Sequence, residues 1–466
     1  MNVEQIYTGC LAQAAYYIKS NGEAAIFDPL REVQPYIDKA AGDNTRIKYV
    51  FETHFHADFV SGHLDLAKKS GAEIVFGPGA TPGYRAIIAI DGQKFKVGDI
   101  TIKAIHTPGH TLESVTYLLI DENNQEHGII TGDTLFIGDV GRPDLAQKLT
   151  AELSPEVLAG QLYDSLRNKI MPLDDKLMVY PSHGAGSACG KNMSKETSDT
   201  LGNQKRTNYA LNPALDKEQF IMQVLDGLAP PPAYFPQNVM MNMNGGASID
   251  DVMSRGMNAL EPDMFEAIAK AKGAVILDTR NAADFAGGFI PNSVNIGIDG
   301  NFAPWVGALI PDIQQEILIV TAPGREKEVV MRLARIGHDH VLGYLNGGYT
   351  AWEKSGRDTD AVRTVDARTL IETAESREIS FIDIRDKSEY DTGHIAGVPN
   401  IPLNLINERQ GLIDKSKTHY IHCAGGYRSM AFISILQARG YRNLININGG
   451  YKAIQECGKF NHSASE

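Results

Sequence analysis

A multi-domain α/β protein is the fold class this sequence predicts, and three observations predict it. At 466 residues the chain is too long for one hydrophobic core, so roughly two to four domains are expected. Over the first half, short apolar runs ended by turn residues alternate with stretches of helical spacing. The second half contains a series of motifs that occurs twice.

The elements follow in order. Ala24-Ala25-Ile26-Phe27-Asp28-Pro29, Ile47-Lys48-Tyr49-Val50-Phe51 and Ile74-Val75-Phe76 read as buried strands. Val115 to Ile120 and Gly128 to Thr131 read as two more, joined by a polar turn over Asp121 to Gln125. Residues 151–170 carry helical spacing, with Leu158, Leu162 and Leu166 on one stripe. Successive prolines at Pro230, Pro231 and Pro232 forbid helix, and Met240 to Gly246 is expected to loosen the chain. The expected domains are therefore residues 1–230, a Pro-rich linker at 231–248, residues 249–360, and residues 361–466. The last two look duplicated. Val275 to Arg280 matches Phe381 to Arg385, Gly288 to Ile296 matches Gly393 to Ile401, and Tyr344 to Tyr349 matches Ile445 to Tyr451.

Composition narrows the function classes. Hydrophobic residues make up 43% and charged residues 22%, as in an ordinary globular chain. A formal charge of -13 argues against nucleic acid or an anionic membrane as partner. No run of about 18 apolar residues suggests a membrane span. The opening Met1-Asn2-Val3-Glu4-Gln5 lacks the basic and apolar regions of a secretion signal, and early arginines are missing. Four cysteines, Cys10, Cys189, Cys423 and Cys457, are too few for a disulfide framework. A reducing, cytoplasmic location is the expectation.

The chemistry sits in three strings: Thr53-His54-Phe55-His56-Ala57-Asp58-Phe59, Thr107-Pro108-Gly109-His110-Thr111 and Thr131-Gly132-Asp133-Thr134. Two His one residue apart, a third after a Pro-Gly turn and an Asp at a strand end can converge on one metal. This pattern resembles the metallo-β-lactamase superfamily, whose string is His-x-His-x-Asp-His. Its last His is Phe59 here, so a second metal lacks a nitrogen ligand and a phenyl ring is expected in its place. Two His and one carboxylate with open positions mark non-haem Fe(II) oxygenases, although zinc takes the same ligand types. Resemblance to the persulfide dioxygenases of the superfamily implies His54, His110 and Asp133 as ligands of one ferrous ion, Fe(2+), per chain. It leaves His56, Asp58 and His183 close by. The same resemblance places a Gly-Arg-x-Asp turn at Gly141 to Asp144, where Arg142 either holds Asp133 or Asp58 or makes a structural salt bridge. Cys189, in the small-residue loop after His183, is expected at the pocket rim. Glycine N–H groups and Lys191 are expected to lower its thiol pKa for a part in sulfur relay; the alternative is a small residue in a tight loop. Arg142, Cys189, Lys191, Gly425 and Gly426 are the candidate substrate contacts.

Both copies in the second half resemble rhodanese sulfurtransferase domains, small α/β units with parallel sheets. His422-Cys423-Ala424-Gly425-Gly426-Tyr427-Arg428-Ser429 fits the rhodanese Cys-x-x-Gly-x-Arg loop. Backbone N–H groups curled at a helix N-terminus stabilise a thiolate and the persulfide that replaces it. Gly425 and Gly426 are expected to allow the required backbone angles. Arg428 is expected to bind a sulfonate-like donor, with Asp383 and Arg385 bracing the site. The first copy reads Thr321-Ala322-Pro323-Gly324-Arg325, with Ala322 in place of the nucleophile, and is expected to be inactive.

The resemblances together imply a metallo-β-lactamase αββα sandwich followed by one inactive and one active rhodanese-like domain. They imply oxidation of a low-molecular-weight persulfide, of glutathione or coenzyme A type, by O2 to sulfite. Cys423 would carry sulfane sulfur, with thiosulfate as donor or product, in an expected homo-oligomer. Two alternatives are a glyoxalase-II-like thioester hydrolase and a persulfide-sensing interaction protein.

Overall fold

The structure is a computed structural model that describes residues 2–145, 153–370, 379–458 and 462–463. Residues 151 and 152, the start of the expected helix, lie outside the described residues. The chain divides into two compact units: residues 1–249 with 334–337, and residues 250–333 with 338–466.

The first unit is built on two six-stranded sheets. One runs Asn2–Thr8, Gln13–Ser20, Glu23–Phe27, Arg46–Phe51, Glu73–Phe76, Ile87–Ile88, antiparallel through its first three strands and parallel thereafter. The other runs Asp199–Thr200, Met178–Pro181, Glu126–Gly132, Val115–Ile120, Ile100–His106, Lys94–Val97. Tyr16, Phe27, Phe51, Phe95, Tyr117 and Ile130 fill the core between them. Helix Gln34–Gly42 covers the outer face of the first sheet through Tyr36 and Ala40. Helix Pro155–Ser165 and the turn after it cover the second through Leu162 and Leu166. Strands buried on both faces show no alternation. That is why Glu23–Phe27 and Arg46–Phe51 stand out as apolar runs. The first strand, Asn2–Thr8, is largely exposed and carries polar residues, so it was not anticipated.

The segment expected as a linker is corrected by the structure. Residues 235–244 form a helix, Phe235–Asn244, with Pro236 in its first turn, where the missing N–H costs nothing. Asn242 is buried on that helix, and its Nδ2 donates to the carbonyls of His56 and Phe59, both at 2.8 Å. Its Oδ1 accepts from Ser61 N at 2.8 Å. The helix thereby clamps both ends of the loop that carries Asp58.

The second unit repeats one topology. Ala259–Leu260, Val341–Leu345, Ile317–Val320, Val275–Asp278 and Val294–Asn295 form a parallel sheet. Arg363–Val365, Leu444–Ile447, His419–His422 and Ser380–Asp383 form a second in the same order. A bridge from Asp383 to Asn400 stands where the first copy has its fifth strand. Helix Tyr427–Ala438 is buried from Ser429 to Gln437, so all its faces are covered.

Asn242→Ala would leave two carbonyls and one N–H without partners, each costing about 1–3 kcal/mol when buried. Urea unfolding of the first unit is expected to show a loss of about 3 kcal/mol, with an unchanged slope.

Candidate metal centre and sulfur-transfer loop

Each candidate ligand sits just past the end of a strand. His54, His56 and Asp58 follow Arg46–Phe51, His110 follows Ile100–His106, Asp133 follows Glu126–Gly132 and His183 follows Met178–Pro181. Gly109 and Gly132 precede two of them with φ of 146° and 55°. A Cβ on Gly109 would meet the Leu162 backbone at 2.4 Å, and one on Gly132 would meet Thr53 at 2.6 Å. The chain can turn this sharply against packed neighbours only without a side chain.

Hydrogen bonds set the tautomers. Thr53 Oγ1 gives its proton to Asp28 Oδ2 at 2.9 Å, so at its 2.9 Å contact with His54 the imidazole Nδ1–H donates. The Arg142 carbonyl accepts from His110 Nδ1 at 2.8 Å, and the Ala12 carbonyl from His183 Nδ1 at 3.2 Å. In all three rings Nε2 keeps its lone pair. These atoms converge on Asp133: His54 Nε2 lies 3.8 Å and His110 Nε2 3.4 Å from Oδ2, and His183 Nε2 lies 3.6 Å from Oδ1. Both Asp133 oxygens are buried without a hydrogen-bond donor. Buried carboxylate oxygens facing only lone pairs would be a severe penalty without a cation, so the donors fit a metal ion. The ligand atoms of His54, His110 and Asp133 lie within 4.8 Å of one another. Burial and the charges of His56, His110 and His183 hold His54 well below the usual imidazole range, so its lone pair is available at neutral pH.

A second group, His56, Asp58 and His183, is equally compact. His56 is engaged elsewhere. Its Nε2 lies 3.2 Å from Asp28 and 3.4 Å from Glu52. Burial opposes its charge, but Asp28 and Glu52 outweigh burial and raise it well above its usual range. An imidazolium offers no lone pair to a metal. Phe59 is fully buried against it, ring centroids 4.3 Å apart. Burial pushes the Asp58 carboxyl up, and His183 Nε2 sits 3.4 Å from Asp58 Oδ2.

Three expectations for the surrounding loops are corrected. Arg142 does not brace Asp133 or Asp58; its fork holds Asp144 at 2.6 and 2.7 Å, and Nη2 also donates to the Ala229 carbonyl at 2.6 Å. Only its backbone carbonyl reaches the centre, through His110. Cys189 is buried rather than at a rim, within 4.8 Å of donor atoms of Asp133 and His183. Burial first, then the charges of Asp58 and Asp133, push its thiol well above the usual range, opposite to the expected direction. Lys191 does not offset this, because its Nζ caps the carbonyls of Gln223, Val224 and Asp226.

In the second unit, Gly426 N donates to Cys423 Sγ at 3.0 Å, at the start of helix Tyr427–Ala438. Gly426 has φ 104°, whereas Gly425 stays outside the left-handed region, so the backbone demand falls on one glycine of the two. Arg428, expected to be open to a donor anion, has its guanidinium on Glu389 at 2.5 and 2.8 Å and on Asp386 at 3.3 Å. Asp383 and Arg385 pair with each other, and Arg385 also donates to the Gly393 carbonyl at 2.8 Å and lies over the Tyr451 ring. They position the strand end and spend their hydrogen bonds there. The first copy repeats this with Asp278, Arg280, Gly288 and Tyr349 around a cavity of about 400 Å³ that Ala322 lines.

Sequence reasoning missed Asp28, Glu52, Thr53, Ser182 and Tyr234. Asp28 is buried and lies at φ 48°, accepting Thr53 N at 2.8 Å and Ser182 Oγ at 2.7 Å besides Thr53 Oγ1. An acid ending a buried apolar strand before Pro29 was the signal available. Tyr234, buried in the expected linker, lies near enough to Asp58 and Cys189 for their charges, after burial, to raise its phenol.

The Metallo-beta-lactamase superfamily description matches residues 8–183, and the Rhodanese-like domain description matches residues 261–355 and 366–457. A solved structure described as a metallo-beta-lactamase from Staphylococcus aureus is 31% identical with a TM-score of 0.64, over 74% of this chain and 98% of that one. ETHE1 from Myxococcus xanthus is 26% identical with a TM-score of 0.45, over 53% of this chain and 100% of that one. A probable hydroxyacylglutathione hydrolase from Schizosaccharomyces pombe is 29% identical over 34% of this chain. The chain spans 59% of that relative's length.

Asp28→Asn is expected to destabilise metal-free protein by about 3–5 kcal/mol at neutral pH, as breaking a buried ion pair does. Burial works to raise Asp28, yet His56, Ser182 and Thr53 hold it below its usual range, so its contribution is lost as pH falls through the lowered value. His56 is raised, so its contribution is lost only as pH rises through that raised value. Urea unfolding should therefore show the wild-type advantage across neutral pH and its decline on strong acidification.

Proposed function

Because the chain belongs to the metallo-beta-lactamase superfamily and carries two rhodanese-like domains, we propose that it oxidises a low-molecular-weight thiol persulfide with O2 and moves sulfane sulfur through Cys423. The observation that carries this reading is one compact donor triad, with the second nitrogen position lost to Phe59 and His56 held as a cation. His54, His110 and Asp133 would hold a single Fe(2+), which when bound supplies redox chemistry between O2 and sulfur. The balance is R-S-S-H + O2 + H2O giving R-S-H and sulfurous acid. Thr53 and the Arg142 carbonyl orient the imidazoles. His183 Nε2 is an acceptor for the persulfide proton, and buried Phe59 and Phe136 keep water from the reacting sulfur.

At the second site the Cys423 thiolate attacks the outer sulfur of thiosulfate, releasing sulfite and leaving Cys423 as a persulfide. A thiol then takes that sulfur and restores the thiolate. The Gly426 N–H stabilises the anionic sulfur in both states.

A thioester hydrolase is the second reading, favoured by the name of the S. pombe relative over residues of the first unit. That reading leaves the rhodanese-like domains without a task. Oxygen uptake with glutathione persulfide, set beside hydrolysis of lactoylglutathione, separates the two. Uptake is expected, with one iron per chain by metal analysis, and His110→Ala should remove iron and uptake together. Hydrolysis without uptake would overturn the proposal. Cys423→Ser should leave uptake on pre-formed persulfide within about twofold, while transfer from thiosulfate falls at least about a thousandfold, because no competent nucleophile remains.

A further inference from the structure

The inactive rhodanese-like copy keeps a framework that a spacer would not need, and the framework ends on the active loop. Asn295 Nδ2 donates to the carbonyls of Asp278 and Arg280, both at 3.0 Å. Ile296 N and Ile298 N donate to the carbonyls of Asp278 and Thr279, and Arg332 Nη1 donates to the Ile298 carbonyl at 2.7 Å. Residues 295–300 are thus held as a rigid ledge. Tyr427 lies on it: its hydroxyl donates to the Gly297 carbonyl at 2.7 Å. A Cβ on Gly300 would meet the Tyr427 ring at 2.5 Å, and one on Gly297 would meet it at 3.1 Å. The ring therefore occupies the space that side chains at both positions would take. Seven residues further along the same helix, Ser434 Oγ accepts from Asn295 N at 2.9 Å.

We infer that the inactive copy is a template for the active one, and that Tyr427 is the positioning residue through which it aims the Gly426 N–H at Cys423. Tyr427 is the first residue of its helix and follows Gly426, whose N–H donates to the sulfur. Pinning the Tyr427 ring against the ledge and Ser434 against Asn295 fixes the helix at two points a turn or more apart. The direction of the Gly426 N–H is then set by the neighbouring domain and not by the loop alone. This accounts for the retention of Asp278, Arg280 and Asn295 in a copy whose Ala322 cannot react: they hold the ledge. It also accounts for the complete burial of Ser429 to Gln437.

The inference rests on Cys423 as the sulfur-carrying nucleophile, and the test separates the two ideas. The full chain is compared with Tyr427→Phe and Gly300→Ala. Alkylation of Cys423 by iodoacetamide is followed against pH by the mass of its peptide, with kcat and KM for thiosulfate and thermal unfolding measured alongside. A hydrogen bond to the thiolate lowers its pKa, so misaiming it raises the alkylation midpoint. The midpoint is expected to rise by about half a unit in Tyr427→Phe and by more in Gly300→Ala. The kcat is expected to fall about fivefold with KM within about twofold, since Arg428 keeps its own partners. Midpoints unchanged in both variants, or activity falling only in step with thermal stability, overturn the inference. Thiosulfate transfer that survives Cys423→Ser overturns instead the reading beneath it. Should Gly300→Ala fail to fold, Tyr427→Phe, which removes a single oxygen, still decides.

Discussion

The Asp28 carboxylate is the constraint on which the first unit's donor cluster hangs. It is fully buried, in a left-handed backbone conformation that an L-residue adopts at a cost, and it accepts Thr53 N, Thr53 Oγ1 and Ser182 Oγ while facing His56 Nε2. Each bond has a consequence at the metal. Thr53 Oγ1, committed to Asp28, becomes an acceptor and fixes the His54 tautomer. Ser182 is tied one residue before His183. His56 is made a cation and withdrawn from the ligand pool. Two loops from different sheets thus share one anchor, which is how strand ends distant in sequence are held to within a bond length's tolerance.

The same charge that orders the centre shapes its surroundings. Burial and His56 act in opposite directions on Glu52, whose carboxyl is pushed up to about 7, and it accepts from Ser61 Oγ at 2.7 Å. Burial and then the His56 charge bring His63 down to about 3, where it stays neutral and meets the Tyr84 hydroxyl at 2.6 Å. This chain of groups runs from the metal loop to the helix that carries Asn242, since Tyr84 also donates to the Asn242 carbonyl. The carboxylates that gather a cation also suppress the nearby thiolate at Cys189. The two buried thiols therefore stand in opposite fields: Cys189 among carboxylates, Cys423 under a backbone N–H.

In the second unit, duplication produced two sheets of one topology with unequal duties. One copy retains the loop that can carry sulfur. The other retains the strand-end framework and lends a surface. A helix covered on all faces, Tyr427–Ala438, is the physical expression of that division, because a lone small domain would leave one face of it to water.

Residue spacing alone determined a good deal: the α/β class, the duplicated half, and the positions after strand ends where His54, His110, Asp133 and Cys423 stand. Those features depend on local order along the chain, where strand periodicity and turn chemistry leave a readable mark. The tertiary structure decided what depends on encounters between distant segments. It put Arg142 on Asp144 and Arg428 on Glu389, because a long cation pairs with whichever carboxylate the fold brings to it. It turned a proline-rich stretch into a helix over the metal loop, because Asn242 found buried carbonyls there to satisfy. It raised Cys189 where neighbouring glycines and Lys191 suggested the reverse, because a thiol's ionisation follows the charges around it in space and the exclusion of water, neither of which is written in adjacent residues.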